Sequence, residues 1–239
     1  MKKLISYVCI AACSALFISC KSSNILSANF EADAIGQPPA TNLSGAPDGD
    51  VIQFNPGLIP QLKVQNSIAA GEKALHLMNF PVNLGPHNRW IGFRSIGTNL
   101  ASTIWFMYTA KNTNPSGNVM IDIADGAGCL MTRMRIHSNG EVRLAKNLMD
   151  NYTDLIGNIG QNKHTVIFTT SPSTLKYNVT ILQTGGEAIT AENKPMITEN
   201  ALEFANPAHP SISFSHASTG SGDHHYVIES VTISKKKPN

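Results

Sequence analysis

The chain has 239 residues with 18 Gly, 13 Pro and only 14% charged side chains, enough apolar content for one globular domain with a packed core. The formal net charge is +2, and without Lys2 and Lys3 the basic and acidic residues balance at 16 each, which excludes an electrostatic footprint for nucleic acid. Low charge with abundant Gly, Ser, Thr and Asn points to an all-β extracytoplasmic protein.

The chain opens on MKKLISYVCIAACSALFISCKSS. Lys2 and Lys3 form a positive region, and the weakly polar run from Leu4 to Ser19 is too short for a comfortable membrane span but fits a secretory signal. Its end, Phe17-Ile18-Ser19-Cys20, resembles the bacterial lipobox, with Phe17 and Ile18 bulkier than the Leu and Ala usual there. The resemblance implies a lipoprotein signal peptide over 1–19, cleavage before Cys20 and acylation of its thiol. It implies a location in the bacterial cell envelope, on the periplasmic or outer-surface side of a membrane. Residues 20–27 read as a tether, 28–234 as the folded domain and 235–239, with Lys235, Lys236 and Lys237, as a solvated basic tail. After processing, Cys129 remains beside Cys20. An internal disulfide is not expected, and Cys129 reads as a spectator thiol.

From there the chain alternates short apolar-patterned runs with Gly, Pro, Asn and Asp clusters. Strands are expected at 73–80, 102–110, 118–124, 129–137, 141–145, 164–171, 175–183, 211–216 and 225–234. The run STIWFMYTA has apolar residues on both faces, which suits a central strand of a two-layer structure, with Trp105 expected in the core. Residues 184–207 read as a loop insertion. Many short strands separated by turn signals predict a β-sandwich or barrel.

The turn in IHSNGEV decides which side chains share a face. A two-residue Asn-Gly turn would place Val142 and Leu144 beside Arg133 and Arg135. A three-residue loop with Gly140 in a left-handed bulge pairs His137 with Glu141, Ile136 with Val142 and Arg135 with Arg143. The apolar pattern favours the bulged turn, because a one-residue slip turns every side chain over. It yields a polar face with Asp122, Arg133, Arg135, His137 and Arg143, on which Asp122 lies across from Arg133 or diagonal to it. That face reads either as a carbohydrate-binding surface with guanidinium forks or as a solvated face with a cross-strand ion pair.

Several segments together resemble the concanavalin A-like jelly-roll superfamily of laminin-G and lectin/glucanase type. They are FEADAIGQPP, GEKALHLMN, ASTIWFMYTA, HTVIFTTSPSTLKYNVTIL and HYVIESVTI, and they cover residues 28–234. The resemblance implies two antiparallel sheets with sugars bound on a concave face or at loop edges; it does not by itself assign a function. Glucanases of this fold carry acid-x-acid-x-acid on one strand. Here MIDIADG has Ala124 where the second acid would stand, so the paired carboxylates that glycoside cleavage needs are missing. A lyase using His137, Arg135 and Tyr152 stays open. The leading expectation is a lipid-anchored protein that binds carbohydrate non-catalytically, with a glycan-cleaving enzyme and a structural or protein-binding lipoprotein as alternatives.

The candidate aromatic platforms for sugars are Trp90, Tyr108, Tyr152, Tyr177 and Tyr226, with Trp90 in GPHNRWIGF first. Glu229 alternates with apolar residues and is expected to face inward, opposite Glu31, where the first and last strands of the family lie adjacent. The two carboxylates are candidates to share a structural Ca2+ with Asp33, Asp48 and Asp50 as further donors. Asp223, His224, His225 and His216 form a weaker zinc candidate, since adjacent strand residues point to opposite faces.

Overall fold

The computed structural model describes residues 24–40, 42–43, 50–54, 62–67, 71–79, 90–95, 103–114, 117–124, 130–149, 152–197, 210–217 and 224–238. Residues 1–19, the expected signal peptide, and Cys20, Asp48, Asp125, Cys129 and Asp223 lie outside them.

Two antiparallel sheets pack face to face, with strands numbered β1 to β16 in chain order. The first sheet runs β14 (Ile189–Pro195), β13 (Lys176–Gln183), β12 (His164–Ser171), β7 (Ile104–Asn114), β16 (His224–Ser234), β5 (Lys73–Asn79), β4 (Leu62–Asn66). A further strand, β1 (Asn24–Ala28), also pairs with β16. The second sheet runs β11 (Asp154–Asn158), β10 (Glu141–Leu144), β9 (Leu130–Ile136), β8 (Asn118–Ala124), β15 (Ser211–Ala217), β6 (Trp90–Ser95), β3 (Asp50–Phe54), β2 (Asn42–Leu43). Among the described residues the one helical element is a 3-10 turn at Pro172–Thr174. This is the expected all-β, two-sheet antiparallel sandwich.

Alternation builds the core. Ile104, Phe106, Tyr108 and Ala110 of β7 are fully buried while Trp105, Met107 and Thr109 between them are half-buried on the other side. The strand is central, between β12 and β16, as its two apolar faces suggest. Phe93, Tyr108 and Phe214 interlock edge-to-face at the middle of the sandwich, with ring centres 4.9 to 6.0 Å apart. Phe30 joins this stack against Phe93.

Three assignments change. Asn24–Ala28 is a strand on the edge of β16 and not part of a tether, because Ile25, Leu26 and Ala28 bury completely between the sheets. Residues 189–195 form the edge strand β14 inside the expected loop insertion. Residues 235–238 turn back against the first sheet, held by the Ser234 hydroxyl, in place of a free tail.

Candidate functional site

The turn after β9 has the bulged form. The His137 N–H donates to the Glu141 carbonyl at 2.8 Å and the Gly140 N–H to the His137 carbonyl at 2.9 Å, with Gly140 at φ +84°. Ile136 then pairs with Val142 and Arg135 with Arg143, and Asp122 lies directly across from Arg133. All five polar residues therefore project from the outer face of the second sheet.

That face neutralises itself. Arg133 donates Nε and Nη2 to the two Asp122 oxygens at 2.7 and 2.8 Å, a bidentate pair with both side chains only about a quarter exposed (28% and 25%). The Asp122 hydrogen bond pushes the Arg133 pKa up further. Arg143 holds Glu141 at 2.9 Å and keeps its carboxyl below the usual range. Arg135 lies 3.7 Å from the centre of the Tyr152 ring, a cation–π stack, with Nη2 3.9 Å from the Met120 sulfur. The Tyr152 hydroxyl donates to the same sulfur at 3.1 Å.

Tyr152 reaches this position through a left-handed backbone, φ +60°, which costs a bulky residue roughly 1–3 kcal/mol. Burial of its ring among Leu130, Ala145, Ile197 and Met120 offsets that cost. Burial also pushes the Tyr152 pKa up. Desolvation lowers the His137 pKa, aided by Arg135 and Arg143, so the imidazole is neutral at pH 7, and its Nε2 is buried without a hydrogen-bond partner among the described residues.

The outer face of the first sheet is built differently. Outward positions of β7, β12 and β13 line a groove of about 710 Å³. Trp105, Met107 and Ile167 form its apolar floor. Thr109, Thr165, Thr169, Asn178 and Thr180 supply hydroxyl and amide groups, Glu192 the carboxylate, and Lys237 an ammonium group from the turned-back tail. The Thr109 and Thr165 hydroxyls bond each other at 2.9 Å, which fixes their rotamers across the strand pair. Trp105 is thus a groove residue and not core, because register sends Phe106 inward. Part of the signal was present in sequence: HTVIFTTS has Thr165 and Thr169, KYNVTILQ has Asn178 and Thr180 and IWFMYTA has Thr109 at outward positions, but only pairing shows that those positions share one face.

The other aromatic candidates divide. Tyr108, Tyr177 and Tyr226 are buried and offer no platform. Trp90 opens β6, paired with Ser215, and its side chain lies outside the described residues, as do those of His216 and His224. His225 packs edge-on against His76 with ring centres 6.5 Å apart.

Glu31 and Glu229 each have partners of their own. Glu31 sits in the turn after β1 and accepts the Lys73 N–H at 3.0 Å, while the Lys73 ammonium donates to the Glu31 and Asp33 carbonyls at 2.8 and 2.7 Å. Asp33 caps the Ala40 N–H at 2.9 Å. A bulge between Ile228 and Ser230 takes Glu229 out of the strand alternation, and it ion-pairs with Lys163 and accepts the Ser67 hydroxyl at 3.3 Å. A Ca2+ ion wants six to eight oxygens; among the described residues the Glu31 and Asp33 carboxylates accept backbone N–H groups and the Glu229 carboxylate an ammonium and a hydroxyl, while the side chains of Asp48 and Asp50 lie outside the described residues. Among the described residues no three His, Cys, Asp or Glu side chains cluster as a metal site.

Solved structures share this fold at low sequence identity. The binding domain of botulinum neurotoxin DC, in complex with rat synaptotagmin II, gives a TM-score of 0.54 at 14% identity, over 91% of this chain and 49% of that one. A protein of Mycobacterium tuberculosis described as an immunostimulatory antigen and pseudo beta-1,3-glucanase gives 0.50 at 13% identity, over 90% and 100%. Peanut lectin with a nine-residue peptide gives 0.49 at 15% identity, over 87% and 96%. The chain spans about half the length of the neurotoxin chain and 17% of a matched sialidase chain. No protein-family model and no curated protein matches it. What the neurotoxin domain and the mycobacterial protein share with the chain is the fold.

Proposed function

We propose that this domain binds carbohydrate without cleaving it, along the groove of the first sheet, and is held at a bacterial cell envelope through an acylated Cys20. The observation that carries the reading is Trp105, half-buried in the apolar floor of a groove whose polar lining is mostly threonines and an asparagine. An indole face stacks on the apolar C–H face of a sugar, and the flanking hydroxyls and amide match its equatorial hydroxyls. Glu192 is the groove's carboxylate among the described lining residues, and glycoside cleavage needs two. A glycan array on the full chain should show binding that Trp105→Ala abolishes. Absence of binding to every glycan would sink the reading and favour a structural or protein-binding lipoprotein.

One observation favours a second reading, a polysaccharide lyase. Arg135, Tyr152 and His137 converge on the opposite face beside Asp122, Arg133 and Arg143. Against it, burial raises the pKa of Tyr152, the residue that would have to exchange a proton, and Arg135 is occupied in stacking. Ultraviolet-absorbing unsaturated ends appearing in any array glycan on incubation, and lost in Tyr152→Phe, would establish the lyase.

A further inference from the structure

Both ends of the folded domain emerge at one pole. Asn24 pairs with Ser234 and Ala28 with Val231, so β1 begins where β16 stops. Cys20 precedes Asn24 by four residues, which span at most about 14 Å. Lys235, Lys236 and Lys237 follow Ser234 directly and are exposed. Their turn is built and not loose. The Ser234 hydroxyl donates to the Lys236 carbonyl, and the Lys236 N–H donates to the hydroxyl oxygen at 3.2 Å. The turn borders a hollow of about 450 Å³ whose other walls are Asn24, Met107, Thr232 and Ser234, with no carboxylate among them. Trp105 also pairs with Ser234, so one end of the groove lies at this pole.

We propose that Lys235, Lys236 and Lys237 form a second membrane contact, on anionic phospholipid headgroups. The proposal rests on the reading of Cys20 as the lipid anchor. An acyl chain at Cys20 keeps this pole within a short reach of the bilayer. Ammonium groups act on a charged surface over about 8 Å at physiological salt. Each lysine at an anionic surface strengthens the contact roughly fivefold. Apart from these three lysines the chain from Cys20 onward carries 13 basic against 16 acidic residues, so the tail is the feature that draws one pole to an anionic surface and sets orientation: the domain stands on this pole and its groove runs up from the membrane. A lipid chain alone leaves the domain free to swivel; the lysines add the second point.

The test uses the lipidated protein, purified from membranes and reconstituted into vesicles of equal parts phosphatidylglycerol and phosphatidylcholine, or of phosphatidylcholine alone. A membrane-impermeant amine reagent labels exposed lysines, read residue by residue by mass spectrometry. Lys235, Lys236 and Lys237 should label at least threefold more slowly on the anionic vesicles. That protection should vanish at 1 M salt, where screening shortens to about 3 Å. Lys111, at the far end of β7, should label equally on both. Equal tail labelling on the two vesicles overturns the proposal. So does tail protection that requires an added glycan, which would assign the lysines to the groove. A chain carrying no acyl mass on Cys20 overturns the anchor and this proposal together, whereas an acylated chain with an unprotected tail overturns this proposal alone.

Discussion

His164 is a buried base in the middle of the sandwich. Its Nδ1–H donates to the Asn162 carbonyl at 2.9 Å, which leaves Nε2 to accept the Tyr226 hydroxyl at 2.8 Å; the Tyr108 hydroxyl lies 3.5 Å beyond. Burial pushes the His164 pKa down to about 4 and raises those of both tyrosines. An unfolded histidine titrates near 6.5, so as pH falls the unfolded chain takes up the proton first. Stability from this residue is intact above about pH 6.5 and lost progressively toward pH 4, in all on the order of 3 kcal/mol. Urea unfolding at pH 7.5 and pH 5 should show the native chain losing roughly 2 kcal/mol more than His164→Gln. Equal losses would contradict a neutral buried imidazole. Gly140 is the second residue with a specific demand. Its φ is +84°, and an added Cβ would fall 2.5 Å from the Gly160 Cα and N. Gly140→Ala should cost roughly 2–4 kcal/mol in denaturant unfolding, since neither backbone can withdraw without breaking the Ile159 N–H bond to the Gly140 carbonyl.

At the scale of elements, β1 is where sequence and structure part most clearly. NILSA is short and follows KSSN, so it has too little pattern to announce a strand, yet Leu26 is wholly buried. Leu26→Ala should destabilise the domain by about 2–5 kcal/mol, measured as a shifted urea midpoint, where a tether residue would cost nothing. Two further strands that pattern did not show, β14 and β11, are edge strands of their sheets. β14 reads ITAENKP with only Ala191 buried, and no residue of β11 is fully buried. Edge strands bury few side chains, so alternation fades there, while β8 and β12 alternate throughout and were legible over their full spans, 118–124 and 164–171. The bulged turn was legible because two registers of a patterned hairpin differ in which face is apolar. The groove was not, because Trp105 and Thr169 are separated by 64 positions and only the β7–β12 register sets them side by side.

Across the whole molecule the two outer faces have opposite character. The second sheet carries charge that is already paired: Asp122 with Arg133, Glu141 with Arg143, and Arg135 under Tyr152. The first sheet carries uncharged hydroxyl and amide groups around a half-buried indole. Sequence found the first face because charges stand out in a strand, and charge on a sheet is as often self-satisfied as it is a site. The sandwich closes through Lys73 and Lys163 on its carboxylates, so excess chelator should leave the melting temperature of the protein unchanged; a fall of several degrees would show that a cation completes the fold. The central claim is that the Trp105 groove is the ligand site, and the most direct test is calorimetric titration of the best array glycan into the native chain, Trp105→Ala and Arg135→Ala. The account expects affinity at least tenfold weaker in Trp105→Ala, the loss of one aromatic stacking contact and its burial, and within about twofold of native in Arg135→Ala. Full affinity in Trp105→Ala, with the loss falling on Arg135→Ala instead, would contradict it.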